Sequence, residues 1–161
     1  MTVNAAGGSK FYIGTTLSIN LVQSNAAVIA EFQTDTYQEV GQVENMGEFG
    51  DEANIITFAS LADTRVRKFK GARDAGTMNV VTGDDPLDAG QDAMVAAEAQ
   101  PNDYNFKVEL NDPTSLSGTP SVHYFRGKVL SKRLQVNDVN SIVRRLFNVG
   151  VNSAIFEVNP T

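Results

Sequence analysis

Tyr104-Asn105-Phe106-Lys107-Val108-Glu109-Leu110 is the stretch that decides the fold class. Tyr104, Phe106, Val108 and Leu110 alternate with Asn105, Lys107 and Glu109. A period of two places every apolar side chain on one face of a strand. Such a strand needs partners and a cover. Downstream, residues 111–119 hold Asp112-Pro113 and Ser117-Gly118 and read as a loop. Residues 122–135 predict a long strand, kinked at Gly127 where a strand glycine marks a bend. Residues 137–140 predict a turn, and residues 142–149 and 151–158 two further strands separated by Gly150. Upstream, Asp85 predicts a helix N-cap, Pro86 suits the first helical position, and Asp88 stands three residues after the cap. Leu87, Met94, Val95 and the alanines 89, 93, 96 and 97 give a narrow apolar stripe. This single helix is expected over about residues 86–99, ending before Gln100-Pro101.

The N-terminal half extends the β pattern. Residues 10–20 and 25–32 are β-branched and aromatic enough for strands, and residues 37–43 are a third candidate. Residues 44–52 gather Asn45, Gly47, Gly50 and four acids, a loop signature. Residues 54–59 read as a strand, 62–64 as a turn, 65–70 as a strand polar on both faces, 71–76 as a turn and 77–82 as a strand. Residues 1–9, small and polar with Gly7-Gly8, read as a flexible arm. The expectation is mainly β: nine or ten strands in a sandwich or barrel of two packed sheets, with one helix outside, as one domain over residues 10–161.

Composition narrows the function. The 161 residues are 42% hydrophobic and 20% charged, ordinary globular usage with enough length for a real core. Cysteine is absent, which excludes disulfides, thiolate metal sites and cysteine nucleophiles. A single histidine excludes two-histidine schemes. The first nine residues carry no Lys or Arg and no apolar run, so no secretory signal is expected. The apolar stretch at 11–30 is interrupted by Thr15, Thr16, Ser18, Asn20 and Gln23, so no membrane span is expected. A cytosolic, soluble chain is the reading.

Catalytic constellations are poor. No phosphate-binding glycine loop, zinc-protease helix motif or nucleophile elbow occurs. His123, between Val122 and Tyr124, reads as a hydrogen-bonded structural histidine. The pairs Asp84-Asp85 and Asp51-Glu52 admit two readings: carboxylate chemistry, which needs two acids facing each other across a substrate, or caps and solvated loops. A calcium site across Glu48-Phe49-Gly50-Asp51-Glu52 lacks the EF-hand spacing. No cofactor or metal is expected. A carbohydrate-binding module would want exposed aromatics, and the chain has no Trp.

Charge segregation says more. The net charge is −6. Residues 1–64 carry −7, residues 65–73 carry +5 through Arg65, Arg67, Lys68, Lys70 and Arg73, residues 74–103 carry −7 and residues 104–161 carry +3. A basic block between two acidic ones invites pairing within one chain or between copies. A solvated hairpin and a nucleic-acid patch are the other two readings of the block. Phe69 alone is interleaved for stacking, and the flanking acids repel phosphates.

Gly41-Gln42-Val43-Glu44-Asn45-Met46-Gly47-Glu48-Phe49-Gly50-Asp51-Glu52, then Ile55-Ile56-Thr57-Phe58 and Leu61-Ala62-Asp63, then Arg65-Val66-Arg67-Lys68-Phe69-Lys70-Gly71-Ala72-Arg73-Asp74-Ala75-Gly76, resemble the tail tube protein of long-tailed bacteriophages and its prophage and gene-transfer-agent relatives. Residues 122–129 and 148–153 resemble the same family. The resemblance implies two packed β-sheets with a flanking helix, and hexameric rings stacked into a hollow virion tube through which DNA passes without specific binding. It implies a non-enzymatic structural protein, made in the bacterial host cytoplasm and located in the virion tail. Its implied partners are itself, a tape-measure protein, and tail-tip and tail-terminator proteins. By position, the segment at about 44–76 matches the long loop or hairpin that reaches the neighbouring ring. Glu44, Glu48, Asp51, Glu52, Arg65, Arg67, Lys68, Lys70, Arg73 and Asp74 are the residues expected to make contacts between subunits or rings. The arm at residues 1–9 is expected to order against a neighbour. A single-ring tail-completion protein or a secretion-type tube protein of the same fold is the alternative. A carboxylate-dependent hydrolase or a binding module on a β-sandwich stands behind both.

Overall fold

The structure is a computed structural model describing residues 3–161. Met1 and Thr2, the first two residues of the expected arm, lie outside the described residues. Ten strands and two helices follow in the order β1 (Lys10–Ile13), α1 (Asn25–Thr34), β2 (Gln38–Val40), β3 (Val43–Asn45), β4 (Glu52–Phe58), β5 (Arg67–Asp74), β6 (Thr77–Gly83), α2 (Ala89–Glu98), β7 (Tyr104–Glu109), β8 (Val122–Gln135), β9 (Arg144–Val151) and β10 (Phe156–Val158). The chain is therefore mainly β, with two sheets and its helices outside them.

The larger sheet runs β2-β1-β7-β8-β9-β6-β3, with β10 added to β8. Every pairing is antiparallel. β2 and β3 stand at opposite ends of this order, yet only Gly41 and Gln42 separate them in the chain. Three Cα steps span at most about 11 Å, so the sheet must curl until its two edges nearly meet. α2 closes the seam. Gln91, fully buried, donates from Nε2 to the Gly83 carbonyl at 2.8 Å and to the Gly41 carbonyl at 3.2 Å. The Asp88 carboxylate accepts from the Gly41 N–H and from the Gln91 N–H. Gly90 is required here: a Cβ on it would lie 2.0 Å from the Glu39 carbonyl oxygen. Gln42 takes φ 56 to turn the chain from one edge to the other.

The curled sheet encloses one core. Phe11, Val40, Met78, Val80, Phe106, Val108, Phe125, Phe147 and Val149 fill it, and Met94 and Ala97 of α2 cap it. The alternation in β7 and β8 sends Phe106 and Phe125 inward, stacked with centroids 5.4 Å apart. Tyr124 points the other way, where α1 covers it with Val28 and Phe32, together with Phe156 of β10.

Several expectations need correction. Residues 25–32 form helix α1, not a strand, because Val28 and Phe32 fall on one helical face and bury together. The second helix makes the flanking-helix count two. α2 begins at Ala89, with Asp88 rather than Asp85 as its N-cap, and Asp85 instead caps the Leu87 turn. The strand expected over residues 10–20 stops at Ile13, and that over 37–43 breaks at Gly41-Gln42. The turn expected over 71–76 shrinks, because β5 runs through Gly71 to Asp74. Gly150 continues β9 instead of separating one strand from the next. The bulge in β8 falls between Val129 and Ser131, while Gly127 admits the Gly150 carbonyl, which would lie 2.4 Å from a Cβ there.

Candidate functional site: a projecting hairpin and the charges around it

The smaller sheet is the hairpin of β4 and β5, and each pairs only with the other. It leaves the body where β6 begins, past Gly76 (φ 69), whose N–H donates to Asp74 Oδ1. In an antiparallel ribbon directly opposed residues share a face, and successive residues alternate. Ile56 stands opposite Phe69, and Phe58 opposite Arg67. Ile55 stands opposite Lys70, and Thr57 opposite Lys68. One face is thus apolar and aromatic with a single arginine. The other is basic with one isoleucine. Both faces are open: Ile55, Ile56, Phe58 and Phe69 are all more than half exposed. An isolated two-stranded hairpin is marginal in water, and a chain that leaves four large apolar side chains on such a ribbon presents a contact surface.

The ten expected contact residues divide by what they already hold. Glu44 pairs with Arg144 across the sheet edge, with Nη2 to Oε1 at 3.1 Å. The guanidinium holds the Glu44 carboxyl below the usual carboxylate range. Arg67 pairs with Asp63 at 3.2 Å, i to i+4, and Asp74 caps the Gly76 turn. Glu48, Asp51, Glu52, Arg65, Lys68, Lys70 and Arg73 have no ion-pair partner within 4.0 Å among the described residues. Glu48, Asp51 and Glu52 lie at the base of the hairpin, and Arg65, Lys68, Lys70 and Arg73 on its returning strand and tip. Within one chain the free acids and free bases of this block therefore do not neutralise one another.

Phe49 anchors the base. Its ring stacks on Phe125 at 6.3 Å and meets the His123 ring edge-on at 5.7 Å. His123 is held by this contact, and no hydrogen bond to its ring occurs among the described residues. The two acid pairs separate in role: Asp84 binds Arg145 at 2.8 Å, whereas Asp51 and Glu52 are solvated. No group of three or more His, Asp or Glu side chains among the described residues is arranged to hold a metal ion. No helix there is long and apolar enough to cross a membrane.

Neither a protein-family model nor a curated protein sequence matches the chain. Solved structures do resemble it. A chain of the PVC sheath/tube terminator, from an extracellular contractile injection system in its extended state, superposes with a TM-score of 0.67 at 9% identity, covering 98% of this chain and 98% of that one. A chain of the anti-feeding prophage baseplate gives 0.63 at 10% identity over 99% and 98%. The SPP1 tail tube gives 0.62 at 12% identity over 95% of this chain and 78% of that one. At such identities the likeness is one of fold, and it spans nearly the whole chain. The curled sheet, its flanking helices and the projecting hairpin together are a tail tube-like fold, shared with tube, terminator and baseplate proteins of phage tails and contractile injection systems.

Proposed function

We propose that this chain is a non-catalytic structural subunit that assembles with itself, as stacked hexameric rings, into the hollow tube of a phage tail. The observation that carries the reading is the β4–β5 hairpin, which stands clear of the body with an apolar face and a basic face both exposed. A stable monomer has no use for such a ribbon, and a neighbouring subunit would cover it. Contacts between subunits or rings then fall to Glu48, Asp51, Glu52, Arg65, Lys68, Lys70 and Arg73, with Glu44, Arg67 and Asp74 shaping the surface from their intrachain bonds. The tube would be the conduit for genome ejection, and the net charge of −6 supports passage of DNA without retention, because like charge avoids phosphate contacts. A tape-measure protein, a tail-tip protein and a terminator are the further partners, the virion tail is the location, and the host cytoplasm is the place of synthesis.

A second reading, a terminator or completion protein that forms one ring and stops, draws on the likeness to the PVC sheath/tube terminator. Negative-stain microscopy with light scattering over a concentration series separates the two. Long tubes with six-fold end views support the tube subunit, and rings of fixed size support the terminator. A monomer at every concentration overturns self-assembly. Replacing Arg65, Arg67 and Lys68 by Glu should abolish assembly and leave a folded monomer. Normal tubes from that variant would remove the hairpin from the contact.

A further inference from the structure

The β4–β5 hairpin has two roots, and they are held differently. The returning root is fixed by backbone: the Val151 N–H donates to the Gly76 carbonyl at 3.0 Å, and Thr77 pairs with Gly150. The outgoing root, residues 46–51, makes no backbone–backbone hydrogen bond among the described residues. Its hold is the packing of Met46 and Phe49 on the core. Phe49 turns one face to β8, where it lies on Phe125 at an interplanar angle of 29°. His123 projects from the same face of β8, two residues before Phe125, because side chains at i and i+2 share a face. Its ring stands at 73° to the Phe49 plane with centroids 5.7 Å apart, so the imidazole presents its edge to the phenyl face. Half the seat of the outgoing root is thus a titratable ring, and it belongs to the one histidine of the chain.

The charged groups that share this corner with His123 are carboxylates. Val108 of β7 and Glu157 of β10 stand directly opposite His123 on the two neighbouring strands and share its face. Lys107 and Glu109 of β7 and Arg126 of β8 fall on the other face. Asp112, in the β7–β8 connection, accepts from the Ser121 hydroxyl at 2.6 Å and from the Ser121 N–H at 2.7 Å. These bonds hold its carboxyl below the usual carboxylate range, and the charge of His123 acts on it in the same direction. The root itself carries Glu48 and Asp51, neither with an ion-pair partner among the described residues.

We propose that His123 is a proton-controlled clamp on the outgoing root of the hairpin, its imidazolium form holding the Phe49 ring more tightly than the neutral form does. Protonation adds positive charge to the edge that meets Phe49, and a phenyl face attracts a cation within about 6 Å of its centroid. Glu157 and Asp112 supply the counter-charge. The root is therefore held best on the acid side of the ordinary histidine range and loosens as pH rises through it. The clamp acts within a single chain and is read on the monomer, so it stands or falls apart from the self-assembly proposed above.

A double-mutant cycle tests it. Phe49→Leu, His123→Gln and the variant with both are unfolded in urea, beside the parent, at about pH 8 and about pH 5.5. Phe49 and His123 are only partly buried and both replacements keep much of their bulk, so the variants should fold. The cycle isolates the contact between the two rings from every other titrating group. The expected coupling constant is about two- to fivefold larger at the acid value. A coupling equal at the two values, or weaker in acid, would overturn the inference. A second measurement reads the root itself. The methyl signal of Met46, on the same segment, should shift between those two pH values in the NMR spectrum of the parent and stay fixed in His123→Gln. A Met46 signal that moves equally in both chains, or in neither, would overturn the inference as well.

Discussion

Replacing Gly90 by Ala should destabilise the fold, although alanine is the better helix former. On propensity alone the change favours α2 by about 1 kcal/mol. The structure opposes it. The new Cβ would lie 2.0 Å from the Glu39 carbonyl oxygen and 2.6 Å from the Val40 Cα, both backbone atoms of β2. α2 must retreat by more than 1 Å to restore ordinary contact. That retreat stretches the bonds from Gln91 Nε2 to the Gly41 and Gly83 carbonyls, now 3.2 and 2.8 Å, and the bond from the Gly41 N–H to Asp88. Each such bond contributes about 1 kcal/mol net, and overpacking costs about 1–3 kcal/mol. With the helix gain subtracted, the expected loss is about 3–5 kcal/mol, or roughly 6–20 °C in Tm for a chain of this length. Urea unfolding followed by circular dichroism measures it. Gly7→Ala is the control: nothing lies within 4 Å of a Cβ there, and its stability should stay within about 0.5 kcal/mol of the parent. If Gly90→Ala matched that control, α2 would not be the element that closes the curled sheet.

Two further changes separate stability from assembly and from pH. Phe32→Ala empties the α1 cluster, where the ring is fully buried against Tyr124 and Phe156, and should cost about 3–5 kcal/mol. Phe69→Ser on the exposed hairpin should leave monomer stability within about 0.5 kcal/mol while blocking assembly in light scattering, and a melting point lowered as far as that of Phe32→Ala would refute the distinction. For Asp35, burial pushes the carboxyl up, but hydrogen bonds from Thr15 Oγ1, Asn105 Nδ2 and the backbone N–H groups of Thr15 and Thr36 outweigh it and hold it below 3.8. A depressed carboxyl contributes stability that is complete above its ordinary value and lost as pH falls through the folded one. The urea midpoint should therefore drop between pH 6 and pH 3 by less in Asp35→Asn than in the parent, and equal drops would remove Asp35 from the acid response.

What the sequence disclosed follows the range of the interactions. β7 and β8 were legible to within a residue because a period of two is local. The two strands of the hairpin were legible too, but Gly71 hid the continuation of β5, and the acids and glycines of residues 44–52 hid β3. Residues 25–32 misled because Val28 and Ile29 favour strands by propensity, while the burial that decides for a helix comes from Tyr124 and Phe156, about a hundred residues away. The seam was invisible for a like reason: it depends on β2 and β3 being placed at opposite edges of one sheet by strands that lie between them in space. Of the candidate site, the basic block was plain from charge alone. The exposed apolar side chains of the β8–β9 connection were not, since Val139 reads as a turn residue and Ile142 as the start of a strand. The signal that would have found them is the apolar excess in a segment, residues 136–143, otherwise made of Asn, Asp and Ser.

Under the proposed self-assembly, stability and contact between copies fall to different residues of this chain, and the division has a physical logic. The core is built from β1, β2, β6–β9 and α2, and the fully buried side chains include none from β4 or β5. The hairpin can therefore carry exposed phenylalanine and isoleucine without being asked to stabilise the body, and the body can fold before the hairpin finds a partner. The same division holds for charge. Glu44, Asp84 and Glu98 of the body are paired with Arg144, Arg145 and Lys132 within the chain, whereas Lys68, Lys70 and Arg73 of the hairpin have no ion-pair partner among the described residues. Salt screens exposed charges beyond about 8 Å at physiological ionic strength, so those charges act mainly on orientation and encounter. Under the proposed self-assembly the apolar face of the hairpin, Ile56, Phe58 and Phe69, which salt does not screen, would supply the hold, and the charges would set only the approach.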